Sequence, residues 1–132
     1  MIIGIGVDIV NIDRIKNALK KYKMKFFNRI FTINEINYAY SYGDFAYAKF
    51  ATRFAAKEAC LKAIGTGYSL GISFKDIEII KPEKSPPEIK LHGKALEYIS
   101  SRYENFKIFL SLSDDASFAV ANVVIEGDLK KE

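Results

Sequence analysis

The pattern of apolar and polar residues predicts one strand at the start of the chain and several more after its middle. Residues 2–9 form a short apolar run rich in Ile and Val, which is typical of a buried strand. Gly4 and Gly6 lie inside this run and allow a neighbouring backbone to approach closely. Alternation or short apolar runs predict further strands: residues 75–80, a strand marked by Ile89 and Leu91, residues 107–113 and residues 117–126, the last two forming a hairpin.

Capping signals and helical spacing place the helices between these strands. Thr32 and Glu35 have the spacing of a capping box, so a short helix begins there and ends before Gly43. Asp44 then caps a long Ala-rich helix that Gly65 ends. Apolar spacing predicts two other helices: one capped by Asn11 or Asp13 and reaching about residue 22, and one after Gly93 with Ala95, Leu96, Ile99 and Tyr103 on one face.

The order of these elements predicts the fold class. A strand, then helices, then strands with one helix among them is an α+β order and not a regular βαβ alternation. We therefore expect a mostly antiparallel sheet packed against the long helix. This single domain covers residues 1–126, and residues 127–132 form a polar tail.

Composition narrows the class of protein. With 132 residues and a hydrophobic content of 49%, the chain is long enough and apolar enough to bury a core. It has no apolar run near the roughly 20 residues that span a bilayer, which argues against a membrane protein. Cys60 is the only cysteine, so an internal disulfide is excluded and a cytoplasmic location is expected.

Positive charge is concentrated in one segment. Between Arg14 and Arg29 the chain carries seven Lys and Arg residues and no acidic residue, although its formal net charge is only +4. Such a segment predicts a docking surface for an anionic partner. Nucleic acid, a membrane surface and an acidic protein are all open as partners at this point.

Charged residues interrupt the second half of the long helix. Glu58 and Lys62 are four residues apart and share a face, and Arg53 and Lys57 form an adjacent basic ridge by the same spacing. The glycine-containing loop after the helix can bring backbone N–H groups to a phosphate. The alternative is a solvated face with one ion pair, which stabilises a helix by only about 0.2–0.5 kcal/mol.

Asp8 places a carboxylate at the end of the first apolar strand, where burial without a partner is costly. Together with Glu58 it can hold a hard cation. Mg²⁺ fits, because it takes one or two carboxylates and completes its coordination with water and substrate phosphates. The alternatives are a carboxylate exposed at the strand end or a cap for the following helix, and spacing alone does not choose between them.

Short sequence motifs occur along nearly the whole chain, and together they form a pattern that can be compared with known families. The most specific is RFAAKEA at residues 53–59, followed by Lys62 and by GTG at residues 65–67. The other blocks, in chain order, are GIGVDIV at residues 4–10, Arg14-Ile15, Phe31-Thr32 with Glu35, FKDIEI at residues 74–79, LSLS at residues 110–113 and AVA at residues 119–121. In content, order and length this set resembles the holo-acyl-carrier-protein synthases, whose fold is a 4'-phosphopantetheinyl transferase-like domain.

The resemblance implies an enzyme that transfers 4'-phosphopantetheine from coenzyme A to a serine of apo acyl carrier protein. The reaction releases 3',5'-ADP, depends on Mg²⁺ and supports fatty acid biosynthesis. By position, Asp8 and Glu58 are implied to bind the metal, and Glu58 or a metal-linked water to accept the serine proton. Lys62 is implied to steady the pyrophosphate or the leaving group.

The resemblance also implies the binding surfaces for both substrates. Contacts to coenzyme A are implied for Arg53, Lys57, Lys62, Gly65, Thr66, Gly67, Ser111 and Ser113. The two serines are implied to reach the nucleotide of another subunit, because the family is usually a homotrimer with active sites between subunits. Docking of the acidic acyl carrier protein is implied for Arg14, with Lys21, Lys25 and Arg29 as helpers.

Two rival hypotheses remain. A small nucleic-acid-binding module would use the basic segment and its aromatic neighbours, but Asp8 and Glu58 would repel phosphate without a metal. We therefore expect neither nucleic acid nor a membrane as partner. An inactive scaffold is favoured only by Asp114, which stands where the family commonly has His. It changes the expected nucleotide contact unless the backbone takes a different course or a lysine compensates. His92 is expected at a helix start and Cys60 in the core.

Overall fold

The structure of the chain, a computed structural model, describes residues 1–65 and 70–131. The strands in these ranges are β1 (Ile2–Asn11), β2 (Ile77–Ile80), β3 (Glu88–Leu91), β4 (Tyr103–Asp114) and β5 (Phe118–Leu129). The helices are α1 (Ile12–Tyr22), α2 (Met24–Ile30), α3 (Ile33–Tyr40), α4 (Ala46–Ile64) and α5 (Gly93–Arg102), with 3₁₀ turns at Gly43–Phe45 and Phe74–Asp76. The predicted α+β class is confirmed.

Helix α4 packs against the inner face of the main sheet. In this sheet β5 lies between β1 and β4 and pairs antiparallel with both. Every second residue of β5 is buried on the inner face: Ala119, Ala121, Val123 and Ile125. Strand β1 approaches α4 so closely that a Cβ at Gly4 or Gly6 would lie 1.9 Å from a helix carbonyl oxygen. The predicted close approach at these glycines is therefore confirmed.

Local capping signals set the start of two helices. Asn11 accepts a hydrogen bond from the Arg14 N–H (3.0 Å) and caps α1. Of the two predicted caps, Asn11 is therefore the correct one and Asp13 lies in the first turn. Thr32 and Glu35 form both hydrogen bonds of the predicted capping box at the start of α3.

Two other local predictions are corrected by the structure, and one short helix was not predicted. Asp44 does not cap α4, because the chain first makes the 3₁₀ turn at Gly43–Phe45 and the helix begins at Ala46. Helix α2 is not predicted by the apolar pattern, since it has only 7 residues. Strand β5 continues to Leu129 because its pairing with β4 extends that far, so strand structure enters the segment predicted as a tail.

A small antiparallel sheet of β2 and β3 lies against α3 and α4. Ile77 and Ile79 are buried, as their alternation predicts. Glu78 points to the other face and is buried as well, where Thr32 donates to it at 2.7 Å and His92 Nε2 lies 3.0 Å away. Across the described ranges, no helix is both long and apolar enough to cross a membrane.

Candidate active site

Strand β1 and helices α1 and α4 enclose an open groove of about 560 Å³. Charged and aromatic side chains line it together: Asp8, Arg14, Tyr22, Phe26, Phe54 and Glu58. Asp8 reaches the groove because it follows Gly4 and Gly6 on the face of β1 that packs against α4, and alternate residues of a strand share a face. Glu58 enters from α4. The structure therefore brings the two predicted carboxylates into one groove.

Lys62 lies beside this pair. Its Nζ is 3.2 Å from Asp8 Oδ1 and donates to the Val7 backbone oxygen at 2.9 Å. The Lys62 side chain is 56% exposed and that of Asp8 is 18% exposed, so solvent screens the ion pair and its contribution to stability is at most about 1 kcal/mol. The ion pair can open at little cost, which leaves both groups available to a ligand.

The donor set in the groove fits Mg²⁺. Asp8 and Glu58 offer carboxylate oxygens from two different elements, and the ammonium against Asp8 shows that a cation is favourable there. Residues 1–65 and 70–131 contain no cluster of three or more His, Cys, Asp or Glu side chains suited to a metal. Two carboxylates suffice for Mg²⁺, because it keeps several waters and takes substrate phosphates as its remaining ligands.

A second pocket, of about 320 Å³, opens on a different face of α4. Its lining includes Tyr38, Lys49, Arg53, Lys81, Ser111 and Asp114. The buried Arg53 guanidinium stacks 4.3 Å from the Tyr38 ring centre and donates to Thr52 Oγ1 at 3.1 Å. Burial lowers the pKa of Arg53, and the neighbouring Tyr38 opposes that shift. Within the described residues Arg53 Nε has no hydrogen-bond partner, so one guanidinium donor stays unsatisfied beside the pocket.

The structure corrects the prediction for Lys57. Its ammonium is fully buried, lies 2.9 Å from Glu35 Oε1, and donates to the backbone oxygens of Phe74 (2.9 Å) and Ile77 (2.5 Å). An ammonium has three N–H donors, so all of them are used inside the protein. Burial lowers the pKa of Lys57, and Glu35 opposes that shift. The structure therefore places the Lys57 ammonium outside both pockets, on a face of α4 that α3 and β2 cover.

The other predicted coenzyme contacts lie in different places. Gly65 ends α4 in the left-handed conformation (φ 89°), as predicted. Thr66 and Gly67 lie outside the described residues. Ser111 lines the second pocket, and Ser113 lies two residues further along β4 on the same strand face. Of the three described positions among these five, Ser111 is the one that lines the pocket containing Arg53.

The predicted docking residues form a basic rim (Arg14, Lys21, Lys25 and Arg29) next to the groove. Arg14 lines the groove itself. Lys25 and Arg29 line a neighbouring depression, which shares Tyr22 with the groove. Lys21 is exposed, with its Nζ 5.3 Å from the centre of the Tyr22 ring. The four basic residues of this rim, which lie close together between Arg14 and Arg29 in the sequence, therefore also lie on one surface of the folded chain.

Sequence reasoning missed two lysines of the second pocket. Lys49 lies on α4 and Lys81 follows β2, yet both line the pocket with Asp114. No local pattern connects these positions, so only the fold shows that they are neighbours. The predictions for the other two reactive side chains are confirmed: His92 is the N-cap residue of α5, and Cys60 is buried, which raises its pKa to about 12.

A comparison with protein families identifies the class of protein to which this fold and groove belong. The family model of the 4'-phosphopantetheinyl transferase superfamily matches residues 4–121, which include most of β1, all of α4 and both carboxylates of the groove. The match therefore covers the groove as well as most of the core of the fold.

Similar proteins narrow this class. A holo-[acyl-carrier-protein] synthase from Clostridium tetani is 44% identical and covers 97% of this chain and 98% of its own. The crystal structure of one from Neisseria meningitidis superposes with a TM-score of 0.83 at 35% identity, over 96% of this chain and 99% of the other. One from Helicobacter pylori, in complex with coenzyme A, has a TM-score of 0.79 at 38% identity, over 92% and 99%. The chain belongs to the holo-[acyl-carrier-protein] synthase family.

Proposed function

We propose that this chain transfers 4'-phosphopantetheine from coenzyme A to a serine of apo acyl carrier protein, in support of fatty acid biosynthesis. The serine oxygen forms a bond to the β-phosphorus, the bond from that phosphorus to the bridging oxygen breaks, and 3',5'-ADP leaves. The serine proton passes to a base in the groove. The observation that carries this proposal is that Asp8 and Glu58 line one groove of a chain from this family. Lys62 forms an ion pair with Asp8.

Dependence on Mg²⁺ is part of the proposal. Asp8 and Glu58 are the residues that would hold the ion, which when bound neutralises charge on the pyrophosphate. The Lys62 ammonium is exposed and only loosely paired, so it can turn from Asp8 to a phosphate oxygen of the leaving group. Glu58 is the candidate in this chain for accepting the serine proton, because its carboxylate lines the same groove.

The second pocket is the proposed site for the nucleotide part of coenzyme A. Arg53 and Ser111 line it, as the resemblance implies, and Lys49 and Lys81 add two ammonium groups near Asp114. Three cationic side chains thus surround one carboxylate, so an anionic ligand still meets net positive charge. Lys49 and Lys81 are therefore the proposed compensation for an aspartate at the position where the family commonly has His.

The outer face of the main sheet supports assembly into a homotrimer. Ile5, Val7 and Ile9 alternate along β1 on the face away from α4, and they are 70%, 53% and 63% exposed. Phe109 of β4 lies on the same face and is 51% exposed. A contiguous apolar surface of this kind marks a protein interface. In the proposed trimer, the groove of one subunit and the second pocket of its neighbour form one active site.

The basic rim is the proposed docking surface for the carrier protein. Arg14 reaches into the groove, so a carrier held there has its serine near Asp8 and Glu58. Because acyl carrier proteins are acidic, complementary charge would steer their approach. We place this activity in the cytoplasm, a location that a lone buried cysteine supports.

Mass spectrometry tests the proposal directly. Apo acyl carrier protein is incubated with the chain, coenzyme A and Mg²⁺, and a parallel sample contains EDTA. We expect the carrier to gain one phosphopantetheine group on a serine in the first sample and none in the second. If no carrier protein gains mass, the transferase proposal fails, and a gel-shift assay with nucleic acid then separates the binding-module hypothesis from the inactive scaffold.

A further inference from the structure

A buried polar network joins α4 to the small sheet. Lys57 and Glu35 form its centre, at 0% and 2% exposed. Apart from their ion pair, both side chains bond to backbone groups of other elements. Lys57 donates to the carbonyls of Phe74 and Ile77, and Glu35 Oε2 accepts from the Ile79 N–H at 2.8 Å. The pair therefore holds a specific stretch of backbone as well as balancing its own charges.

This network takes the place of a strand at one edge of β2. In the described part of the chain, β2 pairs with β3 alone. The backbone N–H and C=O groups of alternate strand residues point to the same edge of the strand. The Ile77 carbonyl and the Ile79 N–H point away from β3 and bond to Lys57 and Glu35. Lys57 satisfies a carbonyl of this edge and Glu35 satisfies an N–H. The pair therefore determines where β2 lies along α4.

Strand β2 in turn leads into one wall of the second pocket. It ends at Ile80, and the next residue, Lys81, lines the pocket together with Pro86 and Pro87, which precede β3. Arg53 lines the pocket from α4, one helical turn before Lys57. The two walls of the pocket are thus the α4 side, with Arg53, and the β2–β3 side, with Lys81. The Lys57–Glu35 pair holds β2 against α4 and so sets the distance between these walls.

We infer that Lys57 and Glu35 are positioning residues that hold the β2–β3 wall of the second pocket at the spacing coenzyme A requires. The inference rests on the proposed function, which assigns the nucleotide part of coenzyme A to that pocket. Stability alone is a poor explanation for the pair. The free-energy cost of removing two charges from water offsets much of the attraction between them. Apolar residues of similar volume often stabilise a core equally well.

The test compares Lys57→Gln and Glu35→Gln with the wild-type chain. The first substitution keeps N–H donors on a shorter, neutral side chain, and the second keeps the size of Glu35 and removes its charge. Ile99→Val is the matched control, because it removes one buried methylene from α5, whose residues do not line the second pocket. For each protein we measure KM for coenzyme A, KM for carrier protein, the melting temperature and hydrogen exchange of the Ile79 amide.

We expect both Gln variants to raise KM for coenzyme A about tenfold or more, because small displacements of binding groups are costly. KM for carrier protein should stay unchanged, and the Ile79 amide should exchange faster. Ile99→Val should lower the melting temperature without separating the two KM values.

Several results would overturn the inference. Equal rises in both KM values, or loss of folding in both Gln variants, would show a purely structural role. Faster exchange with an unchanged KM for coenzyme A would show that the wall does not matter for binding. A wild-type chain that binds no coenzyme A in calorimetry would overturn the proposed function itself, and the inference with it.

Discussion

Gly6 sets the distance between Asp8 and the helix that carries Glu58. A Cβ at Gly6 would lie 1.9 Å from the Ala59 carbonyl oxygen and 2.9 Å from its carbon, whereas Cβ contacts under 3.0 Å are essentially never observed. The obstacle is helix backbone, which cannot rotate away, so Gly6→Ala forces β1 to retreat from α4 by about 1 Å. Asp8 follows on the same strand face and retreats with it.

The cost of Gly6→Ala follows from this displacement. Overpacking a close contact destabilises a protein by about 1–3 kcal/mol, and a domain of this size has a free energy of unfolding of about 5–15 kcal/mol. The variant should therefore fold, with a melting temperature lower by roughly 4–12 °C. A misplacement near 1 Å costs about 100-fold in rate, so phosphopantetheine transfer should slow by about that factor.

Transfer to apo carrier protein is measured by mass spectrometry at saturating Mg²⁺ and coenzyme A, and unfolding by circular dichroism. Gly127→Ala is the matched control, because its Cβ would lie 3.2 Å from Phe106 Cβ and 3.3 Å from Phe106 Cα, where a shift of a few tenths of an ångström relieves the contact. A Gly6→Ala variant with a wild-type rate and melting temperature would refute the reasoning. Reduced stability with normal transfer would refute the part that concerns Asp8.

Four further substitutions test separate parts of the proposal. Glu58→Gln removes a proposed metal ligand and should nearly abolish transfer in the mass assay while leaving the fold intact; near-normal activity at saturating Mg²⁺ would exclude that role. Arg14→Ala should raise KM for carrier protein more than KM for coenzyme A in steady-state kinetics, and equal effects would contradict docking. Val7→Lys charges the proposed interface and should produce monomers in size-exclusion chromatography with light scattering, so a persisting trimer would count against that interface. Burial raises the pKa of Glu78, but hydrogen bonds outweigh it and hold the pKa below its ordinary value of 4.5. The ionised Glu78 therefore stabilises the fold fully above pH 4.5, and this stabilisation is lost as the pH falls through the lowered pKa. In Glu78→Gln the melting temperature should fall less steeply as the pH is lowered. A melting temperature that depends on pH as in the wild-type chain would contradict the lowered pKa.

Features that depend on neighbouring residues could be predicted from the sequence. The capping box of Thr32 and Glu35 uses hydrogen bonds within one helical turn, and Gly65 ends α4 by its own backbone conformation. Asp44 was predicted by the same logic and failed, because a 3₁₀ turn takes up the residues before Ala46. Such a turn depends on packing around it, which capping preferences do not include.

The second function of Glu35 could not be predicted. As a capping-box residue it needs only one carboxylate oxygen, for the Thr32 N–H. The same oxygen also meets Lys57, and the other accepts from Ile79, which lies 44 residues further along the chain. A local motif thus conceals a tertiary contact, because each carboxylate oxygen has two lone pairs and a helix cap uses only one of them.

Lys57 and Lys62 show why spacing on a helix does not by itself define a site. Both lie on α4 in the block that most resembles the family, and five residues separate them, so they point about 140° apart around the helix axis. At one angle α3 and β2 cover the helix, and the Lys57 ammonium has three partners and no exposure. At the other angle the helix borders the end of β1, and Lys62 is 56% exposed beside Asp8. Helical periodicity determines the angle between the two side chains. Elements distant in sequence determine which side of the helix is covered by the rest of the fold. The same residue type therefore has two different proposed roles, a catalytic one at Lys62 and a positioning one at Lys57.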